Sequence, residues 1–158
     1  MQRPIYYGYY IVGAAFVAQF VAIGIYSYVL GAFMEPMLAE LGWSRADFTL
    51  TRTIGQGVMA AVGVYLGSKV DRLGGRPIML VGATILVVGL CLHNFIQSLW
   101  MWWLLNGVVV TMGCAMIGNL VVNVTLSKWF VVNRGIVVAI AAMGVSSVSY
   151  THLRAHET

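Results

Sequence analysis

Apolar residues in this chain fall into long runs separated by short polar stretches. The pattern is neither the strict alternation of a half-buried strand nor the narrow stripe of a helix on a water-soluble core. A helix that crosses a bilayer needs about 20 mostly apolar residues, because the hydrocarbon core is about 30 Å thick. Four runs meet or approach that length: about Tyr9 to Phe33, Phe48 to Val70, Ile78 to Phe95, and Leu99 to Leu126. A fifth begins at Gly135 and stays apolar through Val148. Glu35 and Pro36 are expected to end the first run, and Arg52 and Gln56 interrupt the second. The pattern predicts an all-α polytopic transmembrane bundle with about four complete helices and a truncated fifth. The first run is too long for a signal peptide's apolar core of roughly 7–15 residues, so it reads as a retained helix.

The predicted linkers are short: Glu35 to Asp47, Asp71 to Pro77, Ile96 to Ser98 and Ser127 to Arg134. Neighbouring helices must therefore run antiparallel. With the N-terminus cytoplasmic, Arg3, Lys69, Arg72, Arg76, Lys128 and Arg134 fall inside, against Arg45 and Arg52 outside. That bias follows the positive-inside rule. Trp43, Trp100, Trp102, Trp103 and Trp129 sit where interfacial aromatic belts are expected. Gly63 and Gly67 form a small-xxx-small pair that would let helix backbones approach closely.

Composition agrees with a lipid solvent: 60% of the 158 residues are hydrophobic and only 9% are charged, too few to cover a soluble globule. The net charge of +4 does not imply nucleic acid, because the cations are scattered between apolar runs rather than gathered in a patch. Cys91 and Cys114 stand alone in apolar segments, which supports neither a disulfide framework nor a metal site. No cofactor is expected, and no catalytic residue: no HExxH motif, Ser/His pair or carboxylate pair lies at membrane depth. A haem-carrying membrane subunit would need facing histidines, and His93 alone lies in a spanning run, near its end.

The segment Gly67-Ser68-Lys69-Val70-Asp71-Arg72-Leu73-Gly74-Gly75-Arg76 lies between the second and third runs. Its glycines permit a tight turn, and Pro77 opens the next helix. The segment resembles the signature loop of the major facilitator superfamily, G-x-x-x-D-R-x-G-R-[KR], with Gly75 where the commonest pattern has Arg. The resemblance implies a secondary transporter of twelve helices in two halves, working by alternating access, of which this chain is an N-terminal fragment. It also implies that Gly67, Asp71, Arg72, Gly74 and Arg76 form a latch on the cytoplasmic side. Its partners would be Arg134, in the loop after the fourth helix, and a C-terminal half that this chain lacks.

Tyr7-Gly8-Tyr9-Tyr10, Gly42-Trp43-Ser44-Arg45, and Trp129-Phe130 with Arg134-Gly135 through Gly144 resemble the monocarboxylate and oxalate/formate branch of that superfamily. Asn133 and Ala139 depart from its pattern. The branch implies a small organic anion as solute, moved with a proton or against a counter-anion, in a bacterial plasma membrane. Asn106 and Gly107 replace the R-x-x-x-G motif of many drug antiporters, which counts against drug export.

Substrate sites in such folds lie near the bilayer midplane. Gln19 and Tyr26, seven residues apart, share a face of the first helix. Met112, Met116, Asn119 and Asn123 form a stripe on the fourth. Two roles fit the amides: bonding between helices, or contact with solute. Arg52, with Gln56 one turn on, either attracts an anion or snorkels to the headgroups beside Asp47. Glu35 reads as a helix end. The closing segment, residues 149–158, resembles a translated cloning adapter and is expected to be non-native.

Overall fold

The computed structural model describes residues 7–131 and 133–155, leaving aside the side chains at 7, 28–30, 32–33, 40–41 and 145–155. Arg3 and residues 156–158 of the expected tail lie outside the described residues. Every long element is helical. Helix α1 is continuous over Tyr7–Ile23, a π-helical stretch Gly24–Val29, and Leu30–Leu41. Helix α2 is Arg45–Leu73, and α3 is Gly75–Leu92 followed by a 3₁₀ turn, His93–Phe95. Helix α4 covers Leu99–Trp102, a π-helical stretch Trp103–Val110, Thr111–Ile117 and Asn119–Trp129. Helix α5 is Arg134–Ala155. By length and composition, Gly8–Ser27, Gly75–Phe95 and Leu99–Trp129 can each cross a membrane. Helix α2 has the length but also carries Arg45, Asp47, Arg52, Lys69, Asp71 and Arg72.

Several expected boundaries move. Pro36 does not end α1, and Glu35 is not a helix end; both lie inside Leu30–Leu41. Gly42 ends it instead: its φ of 65° suits glycine, and its N–H reaches the Leu38 carbonyl at 3.1 Å. Ser44 caps the next helix by accepting from the Asp47 N–H at 3.1 Å while its hydroxyl donates to the Asp47 carboxylate at 2.7 Å. The expected loop from Asp71 to Pro77 shrinks to one residue. Gly74, with φ 81°, separates α2 from α3 and donates to the Val70 carbonyl at 3.1 Å. At the far end α5 runs on past Val148, since no glycine or proline interrupts Ser149 to Ala155.

Close approaches set the order of the bundle. Helices α3 and α4 are antiparallel, because Gly75, Gly82 and Gly89 meet Thr125, Met116 with Gly113, and Val110 in turn. Helices α2 and α4 are parallel: the Trp103 indole donates to the Asp47 carbonyl at 2.9 Å, and Lys128 reaches Asp71 at the other end. Helix α1 runs against α4. Its Val12 and Ala15 share a core with Val122 and Leu126, and its Ala22 shares one with Val110, Cys114 and Ile117. Helix α5 packs alongside α1, where Gly144 meets the Phe16 carbonyl. Lys69, Arg72, Arg76, Lys128 and Arg134 thus gather at one end of the bundle, opposite Arg45 and Arg52.

Two packing expectations fail. Gly63 and Gly67 do not carry the close approach: a Cβ at Gly63 would touch only Leu120, at 3.6 Å, and one at Gly67 nothing within 4 Å. The tight seam lies between α3 and α4, where a Cβ on Gly113 would sit 3.0 Å from the Leu86 nitrogen. Of the belt tryptophans, Trp100 is 76% exposed but Trp102 only 2%. Trp102 turns inward and stacks on Phe48 at 4.7 Å between ring centroids, with His93 edge-on at 5.8 Å.

Candidate functional site

Helices α1, α2 and α4 converge on a polar cluster in the half of the bundle that holds Arg52. Two of them are π-helical there, a geometry rare in globular proteins and frequent at functional sites. The stretch Gly24–Val29 carries Tyr26, and Trp103–Val110 leads into Thr111, whose hydroxyl donates to the Asn106 carbonyl at 2.9 Å. Gly55 of α2 lets them meet. A Cβ built on it would lie 2.9 Å from the Thr111 hydroxyl and 3.5 Å from that of Tyr26. The Arg52 guanidinium stands over the Tyr26 ring, 6.0 Å from its centroid, at the limit of a cation–π contact. Asp47 is engaged by Ser44, and among the described residues it forms no ion pair with Arg52.

Two polar atoms of this region are buried without a partner, the Tyr26 hydroxyl and the Thr51 hydroxyl; both ends of the Gln19 carboxamide, a residue 1% exposed, are likewise unpartnered two turns back along α1. A buried polar group left unpaired costs about 1–3 kcal/mol. A ligand or water that satisfied them would recover that cost. Among the described residues the cluster brings one cation, Arg52, beside neutral hydroxyls and no carboxylate paired with it, so its electrostatics suit an anion.

The other candidates spread along the bundle. Gln56 is exposed. The Asn123 amide donates to the Asn119 side-chain carbonyl at 2.8 Å, while its own carbonyl oxygen is buried and unpartnered. Among the described residues no hydrogen bond joins this pair to Arg52 or Tyr26. The expected continuous stripe from Met112 to Asn123 is also broken, because α4 is interrupted at Gly118.

The signature loop forms a second polar centre at the opposite end. Gly67 packs against nothing across the bundle, and Arg72 and Arg76 are exposed. Gly75 is buried because α3 starts hard against Thr125, so a larger side chain has no room there. Arg134, the expected partner, instead donates to the Ser127 hydroxyl at 2.7 Å. Among the described residues the ion pair to Asp71 comes from Lys128. Its ammonium lies 3.2 Å from the Asp71 carboxylate and donates to the Val70 and Asp71 carbonyls at 3.2 and 3.0 Å. It thus neutralises an acid and caps the negative end of α2 together. The sequence signal for this contact is a lysine in the last turn of the fourth run, whereas the family pattern points to Arg134.

The sequence profile of the Major Facilitator Superfamily matches residues 15–149. A curated relative, monocarboxylate transporter 9 of Gallus gallus, is 23% identical over 140 residues, covering 89% of this chain and 27% of that protein. The chain therefore spans about a quarter of the length of the curated relative it matches.

Proposed function

The chain belongs to the major facilitator superfamily, and from that premise we propose that it supplies N-terminal helices of a secondary transporter for a small organic anion, moved by alternating access. The observation that carries the reading is the Arg52–Tyr26 pair beside unpartnered buried hydroxyls, with no acid paired to the cation among the described residues. An arginine within a spanning helix costs up to about 2.5–3.5 kcal/mol on insertion scales, least near the interface. Charge complementarity to a carboxylate offsets that cost. The relative's name points to the same solute class. In this reading the N-terminus is cytoplasmic, the loop around Asp71 is the cytoplasmic latch, and a proton or a counter-anion accompanies the solute.

Saturation-transfer NMR on the chain in lipid nanodiscs tests the solute class. Lactate, formate and oxalate are expected to bind, the neutral amide lactamide to bind much more weakly, and Arg52→Gln to weaken the anions about tenfold or more, as for a lost charged hydrogen bond of about 1.5–3 kcal/mol. Equal binding of acid and amide, or an unchanged Arg52→Gln variant, refutes the reading.

A further inference from the structure

Between α1 and α3, over a floor of α4, runs a groove of about 790 Å³, a volume in the range of sites that hold one small molecule. Short side chains on both walls leave the hollow: Ala14 and Ala18 of α1 and Ala83 of α3. Among the described residues α5 contributes nothing to the lining, and the groove opens on the outside of the bundle, where Leu80 of its rim is 63% exposed.

The mouth lies at the end of the bundle where the cations gather. Arg76 is the one charged residue of the lining; it is exposed, and among the described residues it forms no ion pair. Tyr10 and Trp129 stand at the same mouth, and their rings suit the headgroup level of a bilayer. Below them the walls are apolar. The hydroxyl of Thr125 is already donated to the Val121 carbonyl at 2.7 Å, so it offers no proton to an occupant.

Depth separates the possible occupants. From Tyr10 to Val21 the α1 wall covers about 16 Å at 1.5 Å per residue, roughly one leaflet of a hydrocarbon core about 30 Å thick. There the groove closes, because Ala22 of α1 and Leu86 of α3 join one buried cluster with Val110 and Cys114 of α4. A spanning helix laid in the groove would need it to run the full thickness. An acyl chain needs one leaflet only. The charge at the mouth then selects the headgroup: Arg76, with Lys69, Arg72, Lys128 and Arg134 at the same end, favours a negative one.

We propose that this groove holds an acyl chain of an anionic phospholipid whose phosphate rests on Arg76. The site uses neither Arg52 nor Tyr26 and stands apart from the solute reading.

NMR of the chain in phosphatidylcholine nanodiscs tests it, with a minor fraction of phosphatidylglycerol or of phosphatidylcholine carrying a nitroxide on the acyl chain. Labelled phosphatidylglycerol is expected to broaden the methyl signals of Ala14, Ala18 and Ala83 about fivefold more than labelled phosphatidylcholine, the preference that one cation gives an anionic lipid. At Val64 and Ile140, exposed outside the groove in the same half of the bundle, the preference should be smaller. Arg76→Gln should abolish the preference in the groove, whereas Arg72→Gln, which removes an exposed cation outside the lining, should leave it. Ala14→Leu with Ala83→Leu fills the hollow and should remove the excess broadening at Ala18; this pair carries the comparison if Arg76→Gln does not insert. Equal broadening of the groove by the two lipids, or a preference as large at Val64 and Ile140, overturns the site in favour of a general attraction to the cationic end. Groove methyls untouched by either lipid also overturn it, since a protein segment then covers the groove.

Discussion

Replacing Gly75 by alanine adds one methyl group at the start of α3, and the structure places that methyl on the Thr125 hydroxyl, with the Thr125 Cβ at 3.0 Å and Cγ2 at 3.2 Å. Thr125 cannot rotate away freely, because its hydroxyl donates to the Val121 carbonyl at 2.7 Å and its branched Cβ restricts χ1 on a helix. Either α3 moves off α4, an overpacking penalty of about 1–3 kcal/mol, or Thr125 gives up a hydrogen bond worth about 0.5–1.5 kcal/mol. Gly75→Ala is therefore expected to lower stability by about 2 kcal/mol. Gly75→Arg, which would restore the commonest family pattern, should lower it at least as much. The assay is reversible unfolding in mixed micelles by titration with SDS, followed by tryptophan fluorescence. Thr125→Ala removes the hydroxyl, so combining it with Gly75→Ala should recover about half the loss. Thr125→Ser keeps the hydroxyl and should recover little. If Gly75→Ala unfolds with the unaltered chain, or if serine rescues as well as alanine, the packing argument for this glycine is wrong.

Two further outcomes follow from particular contacts. Trp102→Ala removes a fully buried indole that stacks on Phe48, and the same unfolding assay should show a loss of about 3–5 kcal/mol; a loss under 1 kcal/mol would mean that the ring faces lipid after all. Tyr26→Phe keeps the ring beneath Arg52 and deletes only an unpartnered hydroxyl, so the fold should be stabilised or unchanged while carboxylate binding weakens less than in Arg52→Gln. Binding that improves in Tyr26→Phe would exclude that hydroxyl from the site.

The apolar runs were legible because in lipid every backbone group must be satisfied within its own helix, which makes run length a direct statement of fold. Helix ends were less legible. Pro36 reads as a stop, yet the α-helix Leu30–Leu41 runs through it, and the positive φ of Gly42 makes the real stop. At the polar clusters, periodicity named Tyr26, Asn119 and Asn123, and a charge inside an apolar run named Arg52. It did not find Gly55, Thr111 or Lys128, whose roles depend on which helix lies opposite.

Run length, the excess of cations at one end and the loop around Asp71 were thus determined by the sequence alone, because hydrophobic thickness, charge placement and a glycine turn act locally along the chain. Which helices touch was decided only in three dimensions. The glycine seam of α3 and α4, the inward turn of Trp102 and the pairing of Lys128 with Asp71 each depend on a neighbour distant in sequence. Close packing, where one added carbon must displace another, selects among faces that look equally apolar when read one residue at a time.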